Sequence, residues 1–254
     1  MRTIQAVFTY TVKEHLRHKA WLSAALFGFV LLAGGMVVSA IAQDERARFM
    51  LDLGLSANET IALVSMIFLT VHLILQEVES RAVYLILSHP VRRCDYLLGR
   101  FLGTLFAVGA AMAVTGLAHW LVLKLFGGAP LGKYAAAWAC SLGKTAVMGA
   151  LSLLLSLALT SEAAAMAFAV FFWILGHFSS EMRFLADRSG SPVLKTAITA
   201  FSHAAPDFAH FNFRDHWHGV QPGHAWLVWA GLYTLGYCGA CLALSVQVFE
   251  QKEF

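Results

Sequence analysis

Charge is what this sequence has least of. Asp, Glu, Lys and Arg make up 13% of its 254 residues, against about 25% in an ordinary soluble domain. With 59% hydrophobic residues, so much apolar surface cannot be hidden in one water-soluble core, and lipid is the solvent the composition calls for. The formal net charge of +3 is too small to argue for a nucleic-acid partner. Cysteine is scarce too. Of Cys94, Cys140, Cys238 and Cys241, three fall in apolar runs and one on a charged loop, so no disulfide framework is implied. Cys238-Gly239-Ala240-Cys241 spells C-x-x-C, but no βαβ pattern surrounds it, and packing of small residues against neighbouring helices accounts for it better. No cleavable signal is expected: the first long apolar run begins at Trp21, lacks a small-residue cleavage pattern and runs too long. A phosphate loop is also missing. Gly143-Lys144-Thr145 copies the end of a Walker A motif, but Trp138 stands where the leading glycine belongs, and the stretch reads as apolar helix. No nucleophile and base are arranged for covalent chemistry, so neither a catalytic residue nor a cofactor is expected in this chain.

Long apolar runs are what the sequence has instead. Spans are expected at about 21–42, 60–76, 97–123, 134–160, 163–180 and 225–249. A spanning helix needs roughly 20 apolar residues, and the second run is a little short of that. The expected fold is an all-α integral membrane protein: six transmembrane helices in one domain, 21–254, preceded by an interfacial helix over 1–20. In that first stretch Ile4, Val7, Phe8, Val12 and Leu16 recur at helical spacing, with Arg2, Lys13, Glu14, Arg17 and Lys19 off the stripe. This is the profile of a helix lying in the membrane surface. Gln43 to Asn58 is polar and is expected to be a solvent loop. Asn58-Glu59-Thr60 fits a glycosylation acceptor, a motif too short to carry weight. Gly99 and Gly103 form a G-x-x-x-G read as close helix packing. Glu162 is expected in a tight turn between the fourth and fifth spans, and 181–224 forms an outer loop.

Lys144 is the one charge inside these apolar runs once the third is counted from Phe101, past the Arg100 of the charged connector. Eleven residues past Lys133, it lies about 16 Å along its helix, near mid-membrane. A lysine there costs free energy unless it pairs or faces water, so it marks a functional position. With Ser141 and Thr145 on nearby turns, it either lines a translocation route or makes a polar contact between helices. The outer loop holds His203, His210, His216, His218 and His224 among aromatic residues. His216 and His218 are weak metal candidates, because the spacing is irregular and no cysteine joins in. An interfacial aromatic belt with histidines at the water boundary is the plainer reading, and no metal is expected.

Between the second and third spans lies the one strongly charged connector, Glu77 to Gly103, EVESRAVYLILSHPVRRCDYLLGRFLG. Glu77 and Arg81 stand one turn apart and can pair. The stretch reads as helix through Leu87 until His89-Pro90 forces an extended residue. This string resembles the first cytoplasmic loop of ABC-2 type transporter permeases, in particular the NosY-like branch. The resemblance implies a coupling helix within 77–96 that docks into a cleft on a separate ABC ATPase subunit. Carried onto this chain, it points to Glu77, Glu79, Arg81, Tyr84, Leu85, Ser88, Pro90 and Arg92. It further implies ATP and Mg on the partner rather than here, a second permease copy (the same chain or a close paralogue), and an export role in the inner membrane. Basic residues are nearly even on the two sides. The N-terminal flank, with Arg2, Lys13, Arg17 and Lys19 against Arg46 and Arg48 in the first outer loop, favours cytoplasmic termini, as the resemblance also implies. Two other readings fit the same composition: a membrane scaffold that docks a partner, periplasmic or otherwise, without transport, and an ion-coupled carrier using Lys144.

Overall fold

The computed structural model describes residues 2–17, 28–29, 33–34, 37, 46–80, 92–125, 130–188, 195–196, 198, 205–212 and 224–251. Among them there is helix and no strand. The elements are α1 (Arg2–Arg17), α2 (Arg46–Glu79), α3 (Arg93–Leu125), α4 (Leu131–Ala158), α5 (Glu162–His177), α6 (Ser179–Arg188), a 3-10 turn (Phe208–Phe211) and α7 (His224–Gln251). Four of these, α2, α3, α4 and α7, are long and apolar enough to cross a membrane; α5, at 16 residues, is a shorter apolar helix.

The largest departure from the sequence reading is the start of α2. Gln43–Asn58 was expected as a solvent loop, yet helix begins at Arg46 and runs unbroken for 34 residues, about 51 Å. Charge counting misled here because the periodicity is helical. Met50, Leu51 and Leu55 are buried in the same core as Leu63, Met66 and Ile67. The polar residues between them are satisfied inside the bundle: Ser56 Oγ donates to Asp52 O at 2.6 Å, and Asn58 Nδ2 donates to Met112 O of α3 at 3.2 Å. Helices α3, α4, α5 and α7 overlap the runs expected at 97–123, 134–160, 163–180 and 225–249, and most of 21–42 lies outside the described residues. The fifth stops at His177, where Phe178 N donates to Ile174 O and Leu175 O, and α6 starts at Ser179.

Helix α4 forms the centre, packed by α2 on one side and α7 on another. Hydrophobic exclusion does little to drive helices together in lipid, so close packing must hold this contact. Gly149 supplies it: the Met66 side chain lies where a Cβ would stand. Helix α1 lies along α3, and the G-x-x-x-G is its seat. A Cβ on Gly99 would meet Val7 Cβ at 2.7 Å, and one on Gly103 would meet Thr11 Cβ at 2.6 Å. The face of α1 that docks is therefore turned from the expected apolar stripe. Thr11 and His15 are buried while Leu16 is exposed, because α3 offers polar partners: His15 Nε2 lies 3.1 Å from Thr104 Oγ1.

Candidate functional site

Two polar clusters stand out in this apolar bundle, and both use a glutamate of α2. The first lies where α2 ends and α3 begins, at the base of the charged connector. Glu77 closes the last turn of α2. It accepts a hydrogen bond from Tyr96 Oη and pairs with Arg100 Nη2, both from the first two turns of α3. The other guanidinium nitrogen, Arg100 Nη1, lies 2.6 Å from Glu14 Oε2 and donates to Thr11 Oγ1 at 3.1 Å, both on α1. Tyr10 and Tyr96 flank the cation, with ring centroids 5.0 and 5.9 Å away. At 1% exposure, Arg100 is a charge removed from solvent, tolerable only with such partners. Two turns earlier Arg93 Nη1 donates to Phe249 O at 2.8 Å and Glu250 O at 3.1 Å, tying in the last carbonyls of α7. Helices α1, α2, α3 and α7 thus meet in one knot.

Of the residues expected to meet an ATPase, Glu77 is buried in this knot, and Glu79 and Arg92 are exposed beside it. Arg81, Tyr84, Leu85, Ser88 and Pro90 lie outside the described residues. Arg100, the keystone, was read in the sequence only as one charge among several. Its signal was there: an arginine between Gly99 and Gly103 faces whatever those glycines admit.

The second cluster is at mid-bundle. Lys144 Nζ lies 2.8 Å from Glu59 Oε1, Ser141 Oγ donates to Glu59 Oε2 at 2.6 Å, and Lys144 also donates to Asn212 Oδ1 at 3.2 Å. The lysine side chain is 4% exposed. Thr145, though fully buried, spends its hydroxyl on Ser141 O of its own helix, at 2.8 Å. Glu59 was missed because it fell at the boundary, between the solvent stretch that ended at Asn58 and the span assigned from Thr60. The cost of Lys144 itself was the clue, since a buried ammonium calls for a carboxylate.

Asn212 reaches this depth because the connector before α7 folds into the bundle. Phe208 lies against Gly176 and Phe211 against Gly143, each where a Cβ would come within 2.7 Å. The glycine that mimicked a phosphate loop is a packing glycine. Asp207 anchors the turn: it caps Ala209 N at 3.0 Å, accepts from Ser179 Oγ at 2.6 Å and pairs with Arg183. Burial pushes its carboxyl up, but the bonds from Ser179, Arg183 and Ala209 outweigh it and hold the group below the usual carboxylate range. His210 stacks on Tyr233 at 5.1 Å. Three or more ligand-type side chains gather into a metal site nowhere among the described residues. His216 and His218 lie outside them.

The model of the ABC-2 family transporter proteins matches residues 60–186, from the turn after Glu59 through α5 and most of α6. This is half of the chain. The protein belongs to the ABC-2 transporter family. No curated protein matches it at significance. As an ABC-2 permease it is a transmembrane transport subunit, not itself catalytic, and permeases of this family generally work with an ABC ATPase subunit. Glu77, Tyr96 and Arg100 of the knot, and Ser141 and Lys144 of the second cluster, fall within the matched region; Thr11, Glu14, Glu59 and Asn212 lie outside it.

Proposed function

We propose that this permease moves its substrate outward on ATP hydrolysed by a separate subunit, which it meets through the connector 77–96. The observation that carries this reading is the construction of the connector's base. A loop that receives force must be fixed to what it moves, and Glu77 is clamped by Tyr96 and Arg100 at the point where α2 ends and α3 begins. The working particle in this reading has two permease copies and two ATPases in the inner membrane, with six spans per copy and both termini cytoplasmic. Arg93 supports the shared side of the termini, since it joins the end of α7 to the helix against which α1 lies. Assignment to the NosY-like branch rests on the string from Glu77 to Gly103. Arg81→Glu or Tyr84→Ala should leave the permease in the membrane at normal abundance and abolish co-purification of the ATPase. Unchanged co-purification and activity would refute the docking role.

For Lys144, Ser141 and Thr145 the geometry favours the inter-helix contact over an open route: the ammonium is held by Glu59 and Asn212, and Thr145 turns back on its own helix. We propose that this contact latches α2, α4 and the connector together in the closed conformation. An ion-coupled carrier would use the same pair, and ATP-dependent uptake into inverted vesicles distinguishes the two mechanisms.

A further inference from the structure

The first two turns of α3 hold three other helices at once: α7 through Arg93, α2 through Tyr96 and Arg100, and α1 through Arg100. Arg100 does so with its two terminal nitrogens divided between partners. Nη1 takes Glu14 and Thr11 of α1, and Nη2 takes Glu77 of α2. A guanidinium is planar and permanently charged, so the two carboxylates are held at fixed positions relative to each other. Burial strengthens both contacts over what they would be in water. The backbone seat is just as unforgiving. Ile4 O and Phe8 O of α1 lie 3.2 Å from where Cβ atoms of Gly99 and Gly103 would stand, and the Val7 and Thr11 side chains already fill the remaining space.

Resting on the reading of 77–96 as the loop that meets the ATPase, we infer that Arg100 is a positioning residue that makes α1 a moving part of the coupling machinery. Displacement of the loop base at Glu77 passes through one guanidinium to Glu14, and α1 shifts with it. An anchor lying passively in the membrane surface would need neither a buried arginine nor a carboxylate aimed at it. The amphipathic helix at the start of the chain thereby becomes a lever that the ATPase drives, and its exposed residues Lys13 and Arg17 travel along the lipid headgroups with each cycle.

The test uses the full permease with its co-purified ATPase in nanodiscs, in a Cys94→Ser background, Cys94 being the exposed cysteine. One spin-label pair joins α1 to the far end of α4 (Lys13→Cys with Leu131→Cys). A second joins the loop base to the same reference (Ser80→Cys with Leu131→Cys). Distances are read without nucleotide and after trapping with ADP and vanadate. The expected result is a nucleotide-dependent shift of about 2 Å or more in both pairs, with Glu14→Ala abolishing the α1 shift while the Ser80 shift persists. Glu14→Gln serves if the alanine variant does not fold, with the same expectation. An α1 distance that stays constant in the native sequence while Ser80 moves overturns the inference and leaves the docking role standing. An α1 shift that survives loss of Glu14 overturns it as well. If neither pair moves with the ATPase bound, the docking reading fails with it.

Discussion

The two clusters on α2 solve the same problem in opposite ways. Glu59 and Glu77 are eighteen residues apart, five full turns and about 27 Å, so one helix carries both. At mid-bundle Glu59 meets the Lys144 ammonium, Ser141 donates to the same carboxylate, and Asn212 accepts from the lysine. At the helix end Glu77 shares its cation with Glu14, leaving two carboxylates on one guanidinium. A buried ammonium and carboxylate that answer each other can be replaced together by apolar groups of similar shape at little cost. A shared cation cannot be replaced, because its removal leaves two acids facing each other. The mid-bundle pair is thus suited to opening and closing, the knot to staying whole while it is moved.

The largest expected effect breaks the knot. Arg100→Met should destabilise the detergent-solubilised permease by about 5 kcal/mol, the upper range for orphaning buried charge, and removing Glu14 as well should restore only part of it because Glu77 stays unpaired. Thermal unfolding followed by tryptophan fluorescence measures both. Next, Lys144→Met alone should cost about 3 kcal/mol, whereas Lys144→Met with Glu59→Leu should return to within about 1 kcal/mol of the native protein. That recovery would confirm the contrast between the clusters; a double variant as weak as the single one would erase it. Third, Gly103→Val should cost about 1–3 kcal/mol by overpacking. It should act locally, loosening α1 so that trypsin cuts after Lys13 or Arg17 faster, with α2 and α4 unaffected.

The smallest effect concerns the connector beside the pair. Because Asp207 is held below the usual carboxylate range, the stability it contributes is fully present above the unfolded value of about 3.9. It declines only as pH falls below that toward the folded value. The seating of Phe208 and Phe211 should therefore be flat from pH 8 to 5, in native protein and in Asp207→Asn alike. The variant should be weaker by about 1–2 kcal/mol throughout. A transition in the native protein between pH 5 and 8, followed by Trp173 fluorescence, would assign the anchor elsewhere.

Much of the fold was legible because apolar runs name their helices directly: 97–123 and 225–249 lie inside α3 and α7. What was not legible had one cause. Reading polarity by local composition sent Gln43–Asn58 to solvent, when the spacing of Met50, Leu51 and Leu55 already matched the helix that follows. Glu59, at the edge of that stretch, went without a role, and the inter-helix partner of Lys144 was not named. Lys144 could be singled out from cost alone, but a partner 85 positions away leaves no local trace. The Arg100 knot was hidden for a similar reason: its members come from four helices, and only the glycines on either side of Arg100 hinted that another backbone passes there.

Coupling requires that the connector between α2 and α3 touch a nucleotide-hydrolysing subunit, and photo-cross-linking from position 84 tests that most directly. A photoreactive amino acid in place of Tyr84, irradiated in intact cells, should give one dominant adduct whose partner binds ATP and carries a Walker A sequence. An adduct with only lipid, or with a polypeptide that binds no nucleotide, would contradict it.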